Sequence, residues 1–150
     1  PIMGALEALA GELARSRVAD REVERIAALH DQMVTHYEAR ERTPYFKLNQ
    51  DIHEAILAAA DNPTLTAMHR SLAGRVRRAR YVANMSPARW AEAVAEHEEM
   101  IAALRARDGA RLSIVLRRHL ANKFETVREG LALSNPDDDV AMDEKLARIG

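Results

Sequence analysis

Residues 46–56 read FKLNQDIHEAI, and their periodicity decides what kind of molecule this is. A helix turns about 100° per residue, so Phe46, Asn49, Ile52, His53, Ile56 and, just beyond, Ala60 fall on one face. That stripe is the mark of an amphipathic helix, yet it carries a histidine and an asparagine where core residues belong. The anomaly recurs twice. In WAEAVAEHEEMIAAL, residues 90–104, His97 falls between Trp90, Val94, Ile101 and Leu104. In RLSIVLRRHLANKF, residues 111–124, His119 falls among Leu112, Val115, Leu116 and Leu120. Three imidazoles on three helices are therefore expected to face inward. A buried neutral imidazole needs partners for both ring nitrogens, and a converging set can share one partner, a divalent metal ion.

Outward from this stretch, every strong period is helical. Ile2, Leu6, Leu9 and Leu13 space out a first helix. Asp20 is an expected N-cap for a second, whose inner face reads Val23, Ile26, Ala27, His30, Val34 and Tyr37. Glu38 to Pro44 is expected to form the loop before the third. Asn62-Pro63 supplies an N-cap and a first-turn proline for a fourth helix, and Ser86-Pro87 repeats the device for a fifth. Asp108-Gly109 separates the fifth from a sixth, which is expected to end near Leu131. SNPDDD and VAMDEKLARIG then form an acidic turn and a weak helical tail over residues 133–150. No segment alternates with period two, and neither glycine-rich phosphate loops nor internal repeats occur. The expected fold is all-α, an antiparallel bundle of about six helices with an internal cavity for a metal and a ligand.

Composition narrows the function. At 150 residues the chain fits one domain with a core of its own. It has no cysteine, so disulfides and thiolate-bound zinc are ruled out, in keeping with the cytoplasm. A formal charge of −1 gives no field suited to gripping nucleic acid. No apolar run reaches the roughly 18–20 residues that cross a bilayer. Pro1 is not an initiator methionine and Ile2 leads straight into a helix, so the chain is expected to be part of a longer protein.

Position on a face does not by itself separate a ligand from a core histidine, since His30 is as central on its helix as the trio are on theirs. What sets the trio apart is Asn49, one turn before His53, because a pair four residues apart can close on one ion. His36 lies off its apolar face, while His69 lies at the edge of one. In RVRRAR, residues 75–80, Arg77 and Arg78 point to solvent. Arg75 and Arg80 border the apolar stripe, where either could reach a cavity and hold a carboxylate. A di-iron bundle would need Glu-x-x-His pairs, and no histidine here has glutamate three residues before it. After His97-Glu98 the zinc-protease spacing meets Ile101 instead of histidine. His30-Asp31 resembles the dyad of HD-type phosphohydrolases but has no histidine before it.

The order LNQDIHEAILAAADNPTL, AEHEEMIAALRARDGARL, RRHLANKFETV resembles the FCD domain, the ligand-sensing part of GntR-superfamily bacterial transcription regulators. The matching positions are Asn49, Ile52, His53, Asp61-Asn62, Leu65, Glu96-His97, Ile101, Ala103-Leu104, Asp108 and His119, within residues 1–132. The resemblance implies that Asn49, His53, His97 and His119 hold a divalent transition metal, with zinc first and nickel, iron or manganese as alternatives. It also implies a small carboxylate effector at the ion, for which His30, His69, Arg75 and Arg80 are candidate contacts. A homodimer is implied as well, reading DNA through an amino-terminal winged helix-turn-helix absent from this chain. The family's first ligand is most often aspartate, and Asn49 is a neutral, weaker donor that leaves the ion its full charge. Ile52 likewise replaces the usual phenylalanine. The competing expectation is a metal-dependent hydrolase or lyase of small carboxylates, which would turn over a bound acid where a sensor would only bind it.

Overall fold

The computed structural model describes the backbone of residues 2–83 and 87–133 and the side chains of residues 2–74 and 89–128. Its elements are all helices: α1 (Ile2–Ala14), α2 (Asp20–Glu38), α3 (Arg42–Ala59), α4 (Pro63–Ala83), α5 (Pro87–Arg105) and α6 (Gly109–Leu133). The all-α expectation and its six helices are borne out. Residues 134–150, where the acidic turn and tail were expected, and Ser86 lie outside the described residues.

The ends of the helices show where local chemistry overrode the simplest reading. Ala19, not Asp20, is the N-cap of α2, and it makes no side-chain cap. Asp20 is the first helical residue, where its charge faces the positive end of the helix and pairs with Arg107. The loop expected over Glu38 to Pro44 shrinks to residues 39–41. Pro44 falls in the first turn of α3, where a missing N–H costs nothing. Arg40 takes a left-handed φ of 57°. This lets Arg40 N donate to Tyr37 O (3.0 Å) and Glu41 N to His36 O (2.8 Å), a Schellman closure built without glycine. His36 Nδ1 and Glu41 Oε2, 2.6 Å apart, clamp the same turn. The Asn62 cap is as expected, its Oδ1 accepting from Leu65 N at 3.1 Å. Asp108 Oδ1 likewise accepts from Arg111 N at 2.9 Å.

α2 and α3 form one hairpin and α5 and α6 another, each joined by three residues. α1 packs along α6 and also touches α3 and α4, while α2 packs on α5. The main core gathers Ile26, Met33, Tyr45, Ile52, Ile56, Met100, Leu104, Leu112 and Leu116. Tyr37 and Tyr45 meet Trp90 edge-on at centroid distances of 5.5 and 4.9 Å.

The approach of α1 to α6 depends on glycine. A Cβ on Gly11 would lie 2.7 Å from Leu116 Cδ1 and 2.9 Å from Leu112 Cγ, and one on Gly4 would lie 3.4 Å from Leu120 Cβ. Glycine costs a helix about 1 kcal/mol against alanine, and overpacking costs about 1–3 kcal/mol. Close approach therefore wins at Gly11. Gly11→Val is expected to lower stability by about 2 kcal/mol or more in urea unfolding. An unchanged midpoint would show that α1 is free to stand off from α6.

Candidate metal centre

His53 from α3, His97 from α5 and His119 from α6 meet inside the bundle, because each occupies the core-facing stripe of its helix. All three are buried, and one ring nitrogen of each lies within 4.8 Å of the others. The ring centroids are 5.2 Å apart for His53 and His97, 5.0 Å for His53 and His119, and 4.9 Å for His97 and His119.

Two buried carboxylates stand behind the rings. His53 Nδ1 lies 2.6 Å from Glu7 Oε2 and His119 Nδ1 lies 2.6 Å from Glu96 Oε2. The His119 contact has hydrogen-bond geometry, so its Nδ1 proton points at Glu96; the His53 contact is as short but lies outside hydrogen-bond geometry and is an ion-pair contact. The two Nε2 atoms lie 3.2 Å apart: with both Nδ1 atoms protonated their lone pairs would face each other and a cation between them would relieve the contact, while with His53 protonated at Nε2 one ring would donate to the other. A carboxylate holding the far nitrogen of a histidine is also how metal-bound imidazoles are oriented. Three converging ring nitrogens, two of them on rings with a carboxylate behind, could hold a metal ion.

Each carboxylate is itself held. Glu7 Oε1 accepts from His69 Nε2 at 3.0 Å. Glu96 Oε1 accepts from Asn122 Nδ2 at 2.7 Å, and Glu96 Oε2 is paired with Arg89. Asn49 completes the ring of groups: its Nδ2 donates to His97 Nε2 at 2.8 Å, while its Oδ1 accepts from Lys123 Nζ at 2.7 Å.

Comparison with known proteins places this geometry in a family. The FCD domain family matches residues 2–122. The chain belongs to that family. Its fold is similar to that of E. coli McbR/YncC, with a TM-score of 0.68 and 22% identity over 88% of this chain. This FCD domain spans 60% of the McbR/YncC chain. No curated protein matches it.

Within the FCD domain, Asn49, His53, His97 and His119 are brought together as their spacing suggested. His30 stacks on His97 at 6.2 Å and lines a groove of about 520 Å³ between α2 and α5, together with Asp31, Glu98 and Arg105. Among the described residues its buried Nε2 and the Nδ1 of His97 have no hydrogen-bond partner. His69 meets Glu7 rather than the trio directly. The side chains of Arg75 and Arg80 lie outside the described residues.

Sequence reasoning missed Glu7, Arg89, Asn122 and Lys123, and it took Glu96 only as a motif letter. Glu7 shares the buried face of Met3, Ala10 and Ala14, and Lys123 follows Leu116 and His119 toward buried Val127. The rule that singled out the histidines, a polar residue on an apolar stripe, would have found both.

Burial first, then His53 and Lys123, hold His97 well below the usual imidazole value. Burial first, then Lys123 and the other two rings, do the same to His119. The unfolded chain therefore takes up protons as pH falls through about 6.5 while the folded chain does not. Stability from this source is complete above that pH and is lost below it, at up to about 1.4 kcal/mol per histidine per pH unit. Melting of the metal-free chain is expected to be flat from about pH 8 to 7 and to fall from about pH 6.5 to 5. A flat profile through that lower window would contradict the burial of neutral imidazoles.

Proposed function

We propose that this FCD domain is the effector-sensing part of a GntR-family transcription regulator. In this reading His53, His97 and His119, with Asn49 beside them, hold a divalent transition metal, zinc before nickel, iron or manganese. The observation that carries the reading is the pair of Nε2 atoms turned toward each other by carboxylates at their backs. When bound, the ion supplies a fixed positive charge and open coordination positions for a small carboxylate.

The chain's own residues do the rest. Glu7 and Glu96 fix ring orientation, and the apolar core around Ile52, Ile56 and Leu116 keeps water from competing. His30, beside the α2/α5 groove, and His69, Arg75 and Arg80 are the proposed further contacts for the acid. Regulation results if the acid binds one arrangement of a homodimer better than another. DNA would be read by an amino-terminal winged helix-turn-helix outside this chain, in the cytoplasm. Residues 1–132 would form the sensing and pairing domain and 133–150 its tail. A hydrolase or lyase of small carboxylates is the alternative reading, and it predicts product from a bound acid where a sensor only binds it.

Zinc at 100 times its dissociation constant would add about 2.7 kcal/mol, or roughly 5–10 °C of melting temperature for a domain of this size. His97→Ala or His119→Ala is expected to abolish the shift, and His36→Ala to keep it. Zinc that leaves the melting temperature of the native chain unchanged would overturn the assignment.

A further inference from the structure

His30 is buried beside the metal centre without belonging to it. It is 7% exposed and stacks on His97, with ring centroids 6.2 Å apart and planes 18° from parallel, yet it does not join the converging nitrogens of His53, His97 and His119. Its Nε2 is buried with no hydrogen-bond partner among the described residues. Leaving such an atom unsatisfied is costly, and an apolar side chain would fill the same position without that cost. The residue therefore calls for a role that packing does not supply.

His30 also lines the groove of about 520 Å³ between α2 and α5, so its ring stands between an open depression and His97. The groove has apolar walls at Ala27, Val34 and Ile101, and its exposed charges are Asp31, Glu98 and Arg105. Arg105 is held by Glu24 at 3.1 and 2.9 Å, which offsets its charge. The mouth is left net negative, a field that concentrates cations. His30 Nδ1 lies 4.0 Å from Asp31 Oδ1, close enough for both to touch one ion bonded at about 2.0–2.2 Å. Two donors are too few to keep an ion that takes four ligands when it is resident, but they suit one in transit. A second depression, of about 300 Å³ near the start of α4, is lined by Asp61, Thr66, Ala67 and Arg70 and carries no histidine.

We propose that the α2/α5 groove is the path by which a divalent transition-metal ion enters and leaves the domain, and that His30 with Asp31 is its transient binding site on the way to His97. This rests on the proposed metal centre, and it adds the route by which the centre is filled. A group that touches the ion on the path but not at its end changes the barrier between two states whose energies it leaves alone. Uptake and release then change by one common factor, and affinity stays where it was.

The test is stopped-flow transfer of zinc between the 150-residue chain and a chromophoric zinc chelator, followed in both directions, with the dissociation constant measured separately by competition. His30→Phe keeps a ring over His97 and removes both nitrogens. Uptake and release are expected to slow together by about fivefold or more, with the dissociation constant staying within about twofold. Ala102→Trp sets a bulky side chain in the groove from an exposed position on α5 and is expected to do the same. This second variant decides the matter if His30→Phe does not fold. Ala67→Trp fills the other depression from an exposed position on α4 and is expected to alter neither rate. Unchanged rates in either folded groove variant, or equal slowing by Ala67→Trp, would overturn the path while leaving the metal centre intact. So would a change in release alone, with affinity moving alongside it, because His30 would then act at the bound state and not on the way to it. Failure of the native chain to bind zinc would overturn the metal centre and this inference with it.

Discussion

The structure turns on two contacts between a carboxylate and an imidazole, Glu7 with His53 and Glu96 with His119, each at 2.6 Å. A carboxylate buried in a bundle must find a donor or a cation, because desolvating an unpaired charge costs several kcal/mol. An imidazole N–H is a donor that can be buried with it. Where the carboxylates take the Nδ1 protons, the opposite ring edges are left as lone pairs, and the Nε2 atoms of His53 and His119 are 3.2 Å apart. In the proposed reading a cation bound there would relieve that contact, and the carboxylates behind the rings would hold the site in shape for it.

That constraint reaches back into the fold. Glu7 is on α1, and α1 comes close enough to the centre because Gly4 and Gly11 let it lie against α6. Glu96 is on α5 and is fixed by Arg89, two turns earlier on the same helix, and by Asn122 on α6. His69, from α4, holds the other oxygen of Glu7. Helices α1, α3, α4, α5 and α6 therefore all place at least one polar side chain in a continuous network, and α2 contributes His30 stacked over His97. Polar networks of this kind are stable only when their members are satisfied, so their geometry restrains how the helices pack as strongly as the apolar contacts do.

Much of this is legible in the sequence, for a definite reason. The helices are readable because apolar stripes of period 3.6 and the Asn62-Pro63 and Asp108-Gly109 boundaries obey local rules. The three histidines stand out because a polar residue on such a stripe violates the pattern. The turn after α2 is harder to read, because Pro44 enters the first turn of a helix instead of closing a loop, and Arg40 occupies a left-handed position that glycine usually marks. Glu7 and Lys123 break an apolar stripe as the histidines do and are legible by the same rule, whereas Arg89 is hidden for another reason: charged residues are ordinarily exposed, and only Glu96 and Glu92 beside it show that it is paired inside the bundle.

Whether the three imidazoles form a metal centre, or are core residues merely hydrogen-bonded to carboxylates, is tested most directly by X-ray absorption at the zinc edge of the one-to-one zinc-loaded chain. A first shell containing three imidazole nitrogens at about 2.0–2.1 Å is expected, with the multiple-scattering signature of the rings. A shell made of oxygen alone, or one with a single imidazole, would place the ion elsewhere on the chain and contradict a three-histidine centre.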